Sequence, residues 1–296
     1  MALSIHTNHS ALTTNTSLNK FNSALATNQQ RLGTGLRINS AADDAAGLQI
    51  ATRLNAQSRG MAVAMRNVGD SVSLLQTAEG AFSEMTDIVQ RMKDLATQSA
   101  NGTNSQADRD ALQGEYDELG KELSNIVSNT AYAGEKLFDL AGTGGKFGAA
   151  AGVDFQIGSS SAEKMTLNVS AKTATLMGTT LDGISAYFTT PTTATLGTEI
   201  ATAAGANTMI DTLSGALDGI GGLRAQFGAT INRLNHTSNN LANMKDNTEM
   251  AKGRIMDADF AMESAAMSKN SMLMQSGISM LKQAGQMPGM VMSLLG

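Results

Sequence analysis

Apolar residues recur every three or four positions along both ends of the chain. The longest series runs without a gap through Met61, Met65, Val68, Val72, Leu75, Ala78, Phe82, Met85, Val89, Met92 and Ala96. This length and spacing are typical of helices that pack lengthwise, as in coiled coils, rather than of a short globular helix. At 1.5 Å per residue, the series predicts a helix roughly 50 Å long.

Shorter series with similar spacing lie on either side. The preceding one is Leu18, Phe21, Leu25 and Leu32, and the following one is Leu112, Tyr116, Leu119, Leu123 and Ile126. The C-terminal part has two more: Ile210, Leu213, Leu217, Ile220, Phe227, Ile231, Leu234 and Leu241, and then Phe260, Met267, Met274, Ile278 and Leu281. One series alone indicates a buried helix face. Several series divided between the two ends predict a bundle in which the N- and C-terminal arms pack together.

Polar residues mark the predicted starts of three helices. Ser40 with Asp43, and Ser105 with Asp108, have the spacing of a capping box, in which each side chain accepts a hydrogen bond from the backbone N–H of the other residue. Asp257 is the predicted N-cap of the last helix, because a carboxylate can accept from the free N–H groups of the first turn.

The middle of the chain has a different pattern, because the helical spacing stops between about residues 142 and 205. Apolar and polar residues alternate over 155–157 and 165–169, which predicts two short strands joined as a β-hairpin. The Thr-, Ala- and Gly-rich run after Ala171 predicts an exposed loop or a small excursion with weak structure. The predicted fold is therefore mostly α, a long coiled-coil-like bundle of paired N- and C-terminal arms with a small β-hairpin region in the middle.

The composition excludes several classes of function. The 296 residues contain no Cys, which excludes disulfides, cysteine-ligated zinc, iron–sulfur clusters and a Cys nucleophile. The net charge of −5 argues against nucleic acid as a partner. No run reaches eighteen apolar residues, so no membrane insertion is expected. Aromatic residues make up only 4%, which suits slender helical packing better than a pocket enzyme.

Acidic clusters are the main candidates for chemistry, and each has a structural explanation. Asp43 and Asp44 point about 100° apart on a helix, so one is expected to cap and the other to face water. Asp257, Asp259 and Glu263 are explained by the positive end of a helix rather than by a metal. We therefore expect no enzyme activity, no cofactor and no metal site.

A set of motifs resembles bacterial flagellin. The N-terminal signature is Leu-Arg-Ile-Asn-Ser-Ala-Ala-Asp-Asp-Ala-Ala-Gly-Leu at 36–48. Further motifs follow in the family's order at 90–96, 101–103, 129–134, 232–234, 254–261 and 283–288, with Leu294-Leu295 at the end. The resemblance covers about residues 1–140 and 205–296. The central region is shorter than in many flagellins.

The resemblance implies a structural subunit that self-assembles into the extracellular flagellar filament for swimming motility. About 1–40 with 256–296 would form the inner coiled-coil layer, 41–175 with 205–255 a helical layer with the hairpin, and 171–205 a short variable surface excursion. The self-assembly seams would be Leu18, Phe21, Leu25, Leu32, Phe260, Met267, Met274, Ile278 and Leu281. Since isolated helices are marginal in water, both arms are expected to be largely disordered in the free subunit and to fold on joining a filament.

The resemblance also implies partners: identical copies, sister flagellins, an export chaperone, the filament cap and the hook-junction proteins. Export in the unfolded state through the flagellar type III apparatus needs no cleavable signal, and Met1 to Ser10 has no signal-like pattern. Ten of the nineteen Met lie from Met250 onward, which suits repacking against varied neighbours as well as ordinary core filling.

The family's contact motif for a vertebrate Toll-like receptor falls on Arg91, Leu95 and Glu115. Arg91 and Leu95 are four residues apart and so share a helix face, with Leu95 beside the apolar series and Ala96 within it. In the bacterium, Arg91 and Glu115 are better explained as solvated or lateral-packing charges.

Three alternatives to a filament subunit differ in how much of the sequence they explain. A hook–filament junction protein of the flagellum would share the terminal heptads. A signalling coiled coil, such as a chemoreceptor cytoplasmic region, would share the richness in Ala, Gln, Ser and Thr, but it explains neither the hairpin nor the ordered motifs. A hydrolase has no base–nucleophile constellation to support it.

Overall fold

The computed structural model describes residues 8–190 and 197–295 and is mostly helical, as the pattern predicts. The long helices are α1 (His9–Thr34), α2 (Ala45–Ser99), α3 (Gln106–Asn129), α7 (Ala203–Met256) and α8 (Phe260–Leu295). Between α3 and α7 lie the short helices α4 (Gly145–Gly148), α5 (Ser170–Thr175) and α6 (Ala186–Thr189), with a π-helical turn at Leu176–Leu181.

The predicted β-hairpin is confirmed. Strand β3 (Val153–Gln156) pairs antiparallel with β4 (Lys164–Leu167), and Phe155 lies opposite Met165. Alternate side chains of both strands are buried, which is the period-two pattern of a half-buried sheet. The buried ones are Val153, Phe155, Met165 and Leu167.

A second, smaller hairpin directly after α3 was not predicted. Its strands are β1 (Ala131–Tyr132) and β2 (Glu135–Lys136). The connecting Ala133 and Gly134 have φ angles of 51° and 85°. Two-residue loops with both φ values positive match the twist of paired strands, which is why so short a pair can form here.

Contacts within the chain divide it into two compact units. The arm unit comprises the residues up to Ser58 and those from Asp246 onward, and the core unit comprises Arg59–Lys245. Helices α1 and α8 belong to the arm unit, whereas α3 and both hairpins belong to the core unit. This division does not test the predicted layer boundaries, which stay predictions.

The long apolar series forms the main core. All eleven members lie on α2, nine of them are buried, and Met65 and Val72 are half-buried. Buried residues of α3 and α7 join the same cluster, among them Leu123, Val127, Leu213, Ile220, Phe227 and Leu234. The spacing therefore identified the core-facing side of α2 correctly.

Four phenylalanines meet at the centre of the core unit. Phe82 lies with its ring centroid 4.9 Å from that of Phe138 and 5.7 Å from that of Phe227. Phe147 completes the cluster at 5.7 Å from Phe138 and 4.9 Å from Phe227. The chain has only eight Phe, so a sequence poor in aromatic residues builds a core by gathering half of them in one place.

Among the residues that the structure describes, the run after Ala171 is not an exposed loop with weak structure, so that interpretation is wrong. Residues 191–196 of the run lie outside the described part of the chain. Short helices and the π-helical turn bury its apolar side chains in the core unit: Leu176, Met177, Leu181, Ile184, Tyr187, Phe188 and Ile200. Because these elements are short and differ in period, their inward positions follow no regular spacing in the sequence.

The glycine cluster before β3 allows backbone segments to approach closely. Gly142 has a φ angle of 69°, and a Cβ atom there would lie 2.6 Å from the Cα atom of Ala174. A side chain would therefore push α5 away from this loop, and its left-handed backbone would also be strained.

A buried polar network joins α3 to the segment before α7. The amide Nε2 of Gln113 donates to Asp117 at 2.6 Å and to Glu199 at 2.7 Å, and its Oε1 accepts from the backbone N–H of Ile200 at 2.8 Å. Asp117 also accepts from the backbone N–H of Gly197 at 2.9 Å. Burial raises the pKa of Asp117, so its contribution favours folding at low pH and is lost as the pH rises through the raised value.

The start of α3 confirms its predicted capping box. The Ser105 side chain accepts from the backbone N–H of Asp108, and the Asp108 carboxylate accepts from the backbone N–H of Ser105 at 3.0 Å. The Ser105 hydroxyl, which also donates to the Asp108 carboxylate at 2.7 Å, and the Ser105 backbone N–H hold the pKa of Asp108 below its usual value. The α3 start was predictable because both partners lie within one turn of the chain.

Two other predicted caps need correction. Asp43 accepts from the backbone N–H of Ser40 at 2.9 Å, but this closes a turn ahead of α2, and Asp44 caps the helix by accepting from Gly47 N–H at 2.8 Å. Of the two acids, Asp44 therefore has the expected capping role, and Asp43 is exposed to water while it closes the turn. Likewise Asp259, not Asp257, accepts from the first turn of α8. Neighbouring acids have the same capping chemistry, so only the backbone path decides between them.

We expect the phenylalanine cluster to dominate the stability of the core unit. Phe227→Ala should lower its free energy of unfolding by about 3–5 kcal/mol, because a large buried ring is lost and a cavity remains. Denaturant unfolding followed by tyrosine near-UV circular dichroism measures this, since Tyr116, Tyr132 and Tyr187 all lie in the core unit. The control Val63→Ala, at an exposed site on α2, should change it by less than about 0.5 kcal/mol. Equal losses in the two variants would contradict the expectation.

Candidate assembly surface

The two arms pack against each other, as predicted, and the structure shows that their helices are antiparallel. Near the start of α1, the Asn8 amide donates to the carbonyl oxygen of Ala284 at 2.6 Å. Near its end, Arg31 Nη1 lies 3.0 Å from Glu263 Oε1. Early residues of α1 thus contact late residues of α8, and late residues of α1 contact early ones, which makes the pair antiparallel.

The predicted seam residues lie along this pair, but a single chain does not bury them fully. Phe260 and Ile278 are exposed. The others are half-buried: Leu18, Phe21, Leu25, Leu32, Met267, Met274 and Leu281. Two paired helices cover only one stripe of each other, so the rim of each stripe stays in contact with water.

The arm pair also exposes large apolar side chains outside the seam. The exposed fractions are 72% for Met262, 66% for Met272, 65% for Leu12 and 63% for Met280. Met262, Leu273 and Met280 are eleven and seven residues apart, which places them on one face of α8. Apolar patches of this kind mark surfaces that other proteins cover.

The links at the end of the arm pair bring two of the sequence motifs together. Motif 36–48 follows α1, and motif 254–261 connects α7 to α8. The backbone N–H of Arg37 donates to the carbonyl oxygen of Met256 at 2.6 Å, and the backbone N–H of Ala258 donates to the carbonyl oxygen of Gly35 at 3.0 Å. Gly35 ends α1 with a left-handed φ of 72°, so the chain turns sharply into this contact.

Sequence reasoning missed one seam residue. Asn28 is the only buried residue of α1. When its side-chain amide is oriented so that both polar atoms are satisfied, the amide nitrogen donates to the carbonyl oxygen of Ala24 at 3.0 Å, and the amide oxygen accepts from the backbone N–H of Met267 at 3.1 Å. It occupies the position that completes the spacing between Leu25 and Leu32. The signal was therefore a polar residue at a regular gap in an apolar series.

The structure brings only two of the three predicted receptor residues to the surface. Arg91 on α2 forms an exposed ion pair with Glu115 on α3, and Nη2 lies 2.6 Å from Oε1. Leu95, which lies beside the apolar series, is buried in the core and does not reach the surface. The core of this unit is wider than one helix stripe, and it takes in Leu95 as well as Ala96.

Two features are absent from the described part of the chain. No three His, Asp or Glu residues in that part of the chain are grouped so that they could hold a metal ion. No helix there is both long enough and apolar enough to cross a membrane.

Comparison with known proteins gives matches over most of the chain. A model of the bacterial flagellin N-terminal helical region matches residues 5–143, and a model of the bacterial flagellin C-terminal helical region matches residues 210–295. The chain is similar to Flagellin A of Vibrio anguillarum, with 36% identity over 386 aligned positions, and to Polar flagellin C of Vibrio parahaemolyticus, with 35% over 391. Both alignments cover the whole of both chains. Since this chain has 296 residues, these relatives contain segments without a counterpart here.

One solved structure shows a similar fold. It is a protein described as a flagellar hook-associated protein from Vibrio parahaemolyticus, with a TM-score of 0.57 over 73% of this chain and all of that chain. At 14% identity, this likeness shows the fold alone. The family models and the full-length relatives carry the assignment: the chain belongs to the bacterial flagellin family.

Proposed function

We propose that this chain polymerises into the bacterial flagellar filament, and that the exposed apolar surface of its arm pair is what identical copies cover. The family membership supports a structural role in an extracellular filament. The observation that carries the proposal is the exposure of Met262, Met272 and Met280 on α8. Removing these side chains from water would stabilise the polymer, because burial of apolar area is the main favourable term in association.

Both helices of the arm pair expose apolar side chains, Leu12 on α1 and Met262 on α8 among them, so more than one neighbour can cover the pair. A filament needs a contact between different patches that does not close into a ring, and a surface shared by several neighbours provides one.

We place the arms, about 1–40 with 256–296, in the inner layer of the filament, and 41–175 with 205–255 in the surrounding helical layer. The arms expose the most apolar surface and therefore gain most from being enclosed. The core unit has its own phenylalanine-centred core, so it needs no neighbours to fold. The full-length flagellin relatives favour the filament subunit over a hook–filament junction protein.

The arms are proposed to order only on joining the filament. Ordering a residue costs about 1–2 kcal/mol, and α1 gains little burial from α8 within one chain. In this way spontaneous growth is suppressed until a filament end supplies the missing contacts. The same exposed arms are the proposed contacts of the export chaperone, and the filament cap and hook-junction proteins are proposed to meet the subunit at the filament ends.

Hydrogen exchange tests whether the arms order on assembly. In the free chain, the amides of α1 should exchange rapidly, whereas those of 61–96 on α2 should be protected by the core. In filaments both segments should be protected. Strong protection across 9–34 in the free chain would contradict the proposal, while the α2 amides control for the integrity of the sample.

Polymer growth tests the exposed α8 surface. Met272→Lys should slow elongation from sheared filament seeds by about tenfold or more, because a charge would be buried without a partner and 1.4 kcal/mol already corresponds to tenfold. Elongation is measured by light scattering and electron microscopy. The control Thr179→Lys adds the same charge at an exposed site of the core unit and should grow normally. Normal growth of Met272→Lys would contradict the assignment.

Contact with the Toll-like receptor is proposed to use Arg91 and Glu115, because both side chains are exposed. Leu95→Ala would open a core cavity and is a poor probe of contact. Arg91→Glu should instead lower signalling in a receptor reporter cell line, since it reverses an exposed charge without disturbing the core. The control Lys121→Glu breaks another ion pair on α3, that with Glu118, and should leave signalling intact. Unchanged signalling by Arg91→Glu would remove Arg91 from the contact.

A further inference from the structure

We propose that two contacts, the Arg31–Glu263 ion pair and the packing of Leu18 against Gly277, set the register of the arm pair, and we call them the register contacts. The proposal rests on the arms being the assembly surface. It identifies the residues that decide how far α8 is shifted along α1. That shift fixes where the exposed methionines of α8 stand relative to Leu12 and so defines the surface that other copies meet.

The apolar seams alone do not specify this register. Leu18, Leu25 and Leu32 are seven residues apart on α1, and Met267, Met274 and Leu281 are seven apart on α8. Sliding one helix by seven residues would bring the two repeats back into step with different members paired. Repeating stripes of this kind leave shifted pairings close in energy, and coiled coils separate them with a few non-equivalent positions.

The ion pair is the first such position. Arg31 and Glu263 are largely withdrawn from water, with 29% and 15% of their side-chain surfaces exposed, and their closest atoms are 3.0 Å apart. A shift of seven residues toward the C-terminus of α8 places Asn270 opposite Arg31, and a shift the other way leaves Arg31 beyond the start of α8, where Met256 ends α7. Neither has a carboxylate, so a slipped pair would leave Glu263 and Arg31 without their charged partners.

The glycine is the second position, and it discriminates by shape. A Cβ atom at Gly277 would lie 2.8 Å from Leu18 Cδ2 and 3.2 Å from Leu18 Cγ, so Leu18 fills the space that the missing side chain leaves. A shift of seven residues would present Asn270 or Ala284 to Leu18 instead. Both have a Cβ atom, so the close fit exists in one register only.

Distance measurement in filaments tests the proposal. The chain has no Cys, so spin labels on Gln29→Cys and Lys282→Cys, both exposed, would be unique. Labelled chains are diluted into unlabelled ones so that pulsed electron resonance reports the distance within one chain. Slippage by seven residues moves the labels about 10 Å along the helix axis. Chains with native register contacts should give one distance.

Two variants should move or split this distance. Arg31→Glu sets two carboxylates against each other, and Gly277→Leu fills the space of Leu18. Each should add a population displaced by about 10 Å, or abolish incorporation into filaments. Adding Glu263→Arg to Arg31→Glu should restore the native distance and incorporation, which a nonspecific loss of folding would not allow.

A matched control separates register from helix chemistry. Gly285 is also on α8, but nothing lies within 4 Å of a Cβ atom there, so Gly285→Leu should keep the native distance. An unshifted distance with normal incorporation in both Arg31→Glu and Gly277→Leu would overturn the register inference. The proposed function would survive that result, since it fails only if chains with the native register contacts do not polymerise.

Discussion

A pair of helices can hide only one stripe of each from water, and this limit governs the arm unit. The seam side chains of α1 and α8 are half-buried, and several large apolar groups, Met272 among them, face solvent. The pair is therefore incomplete as a folded object, whereas the core unit is complete. A filament subunit needs both properties, because it must remain a defined molecule before assembly and gain free energy on joining.

The core unit meets the first need with very few large residues. Four of the eight phenylalanines form one cluster, and alanine and methionine fill much of the rest of the α2 face. The buried hydrogen bonds of Gln113 on α3 hold the segment before α7 in one position against that helix. Hydrogen-bonded polar groups in a core specify one arrangement where apolar contacts alone would tolerate several.

Most of the secondary structure was predictable because it depends on local periodicity. The α2 series, the hairpin at β3 and β4 and the capping box of α3 all involve residues close together in the chain. The errors fall where the deciding contact is distant or where several residues have the same chemistry. Asp43 and Asp44 have the same side chain, so the sequence does not distinguish their roles. Leu95 is buried because the core is wider than the single apolar stripe visible in the sequence.

The sequence by itself determined the two helical ends, their apolar stripes and the family, since each is a pattern repeated along the chain. Only the tertiary structure decided that α1 runs antiparallel to α8, that Glu263 meets Arg31 and that Leu18 fills the space at Gly277. The reason is physical: a seven-residue repeat is satisfied equally by several alignments. The choice among them depends on contacts between residues more than two hundred positions apart, which no local pattern encodes.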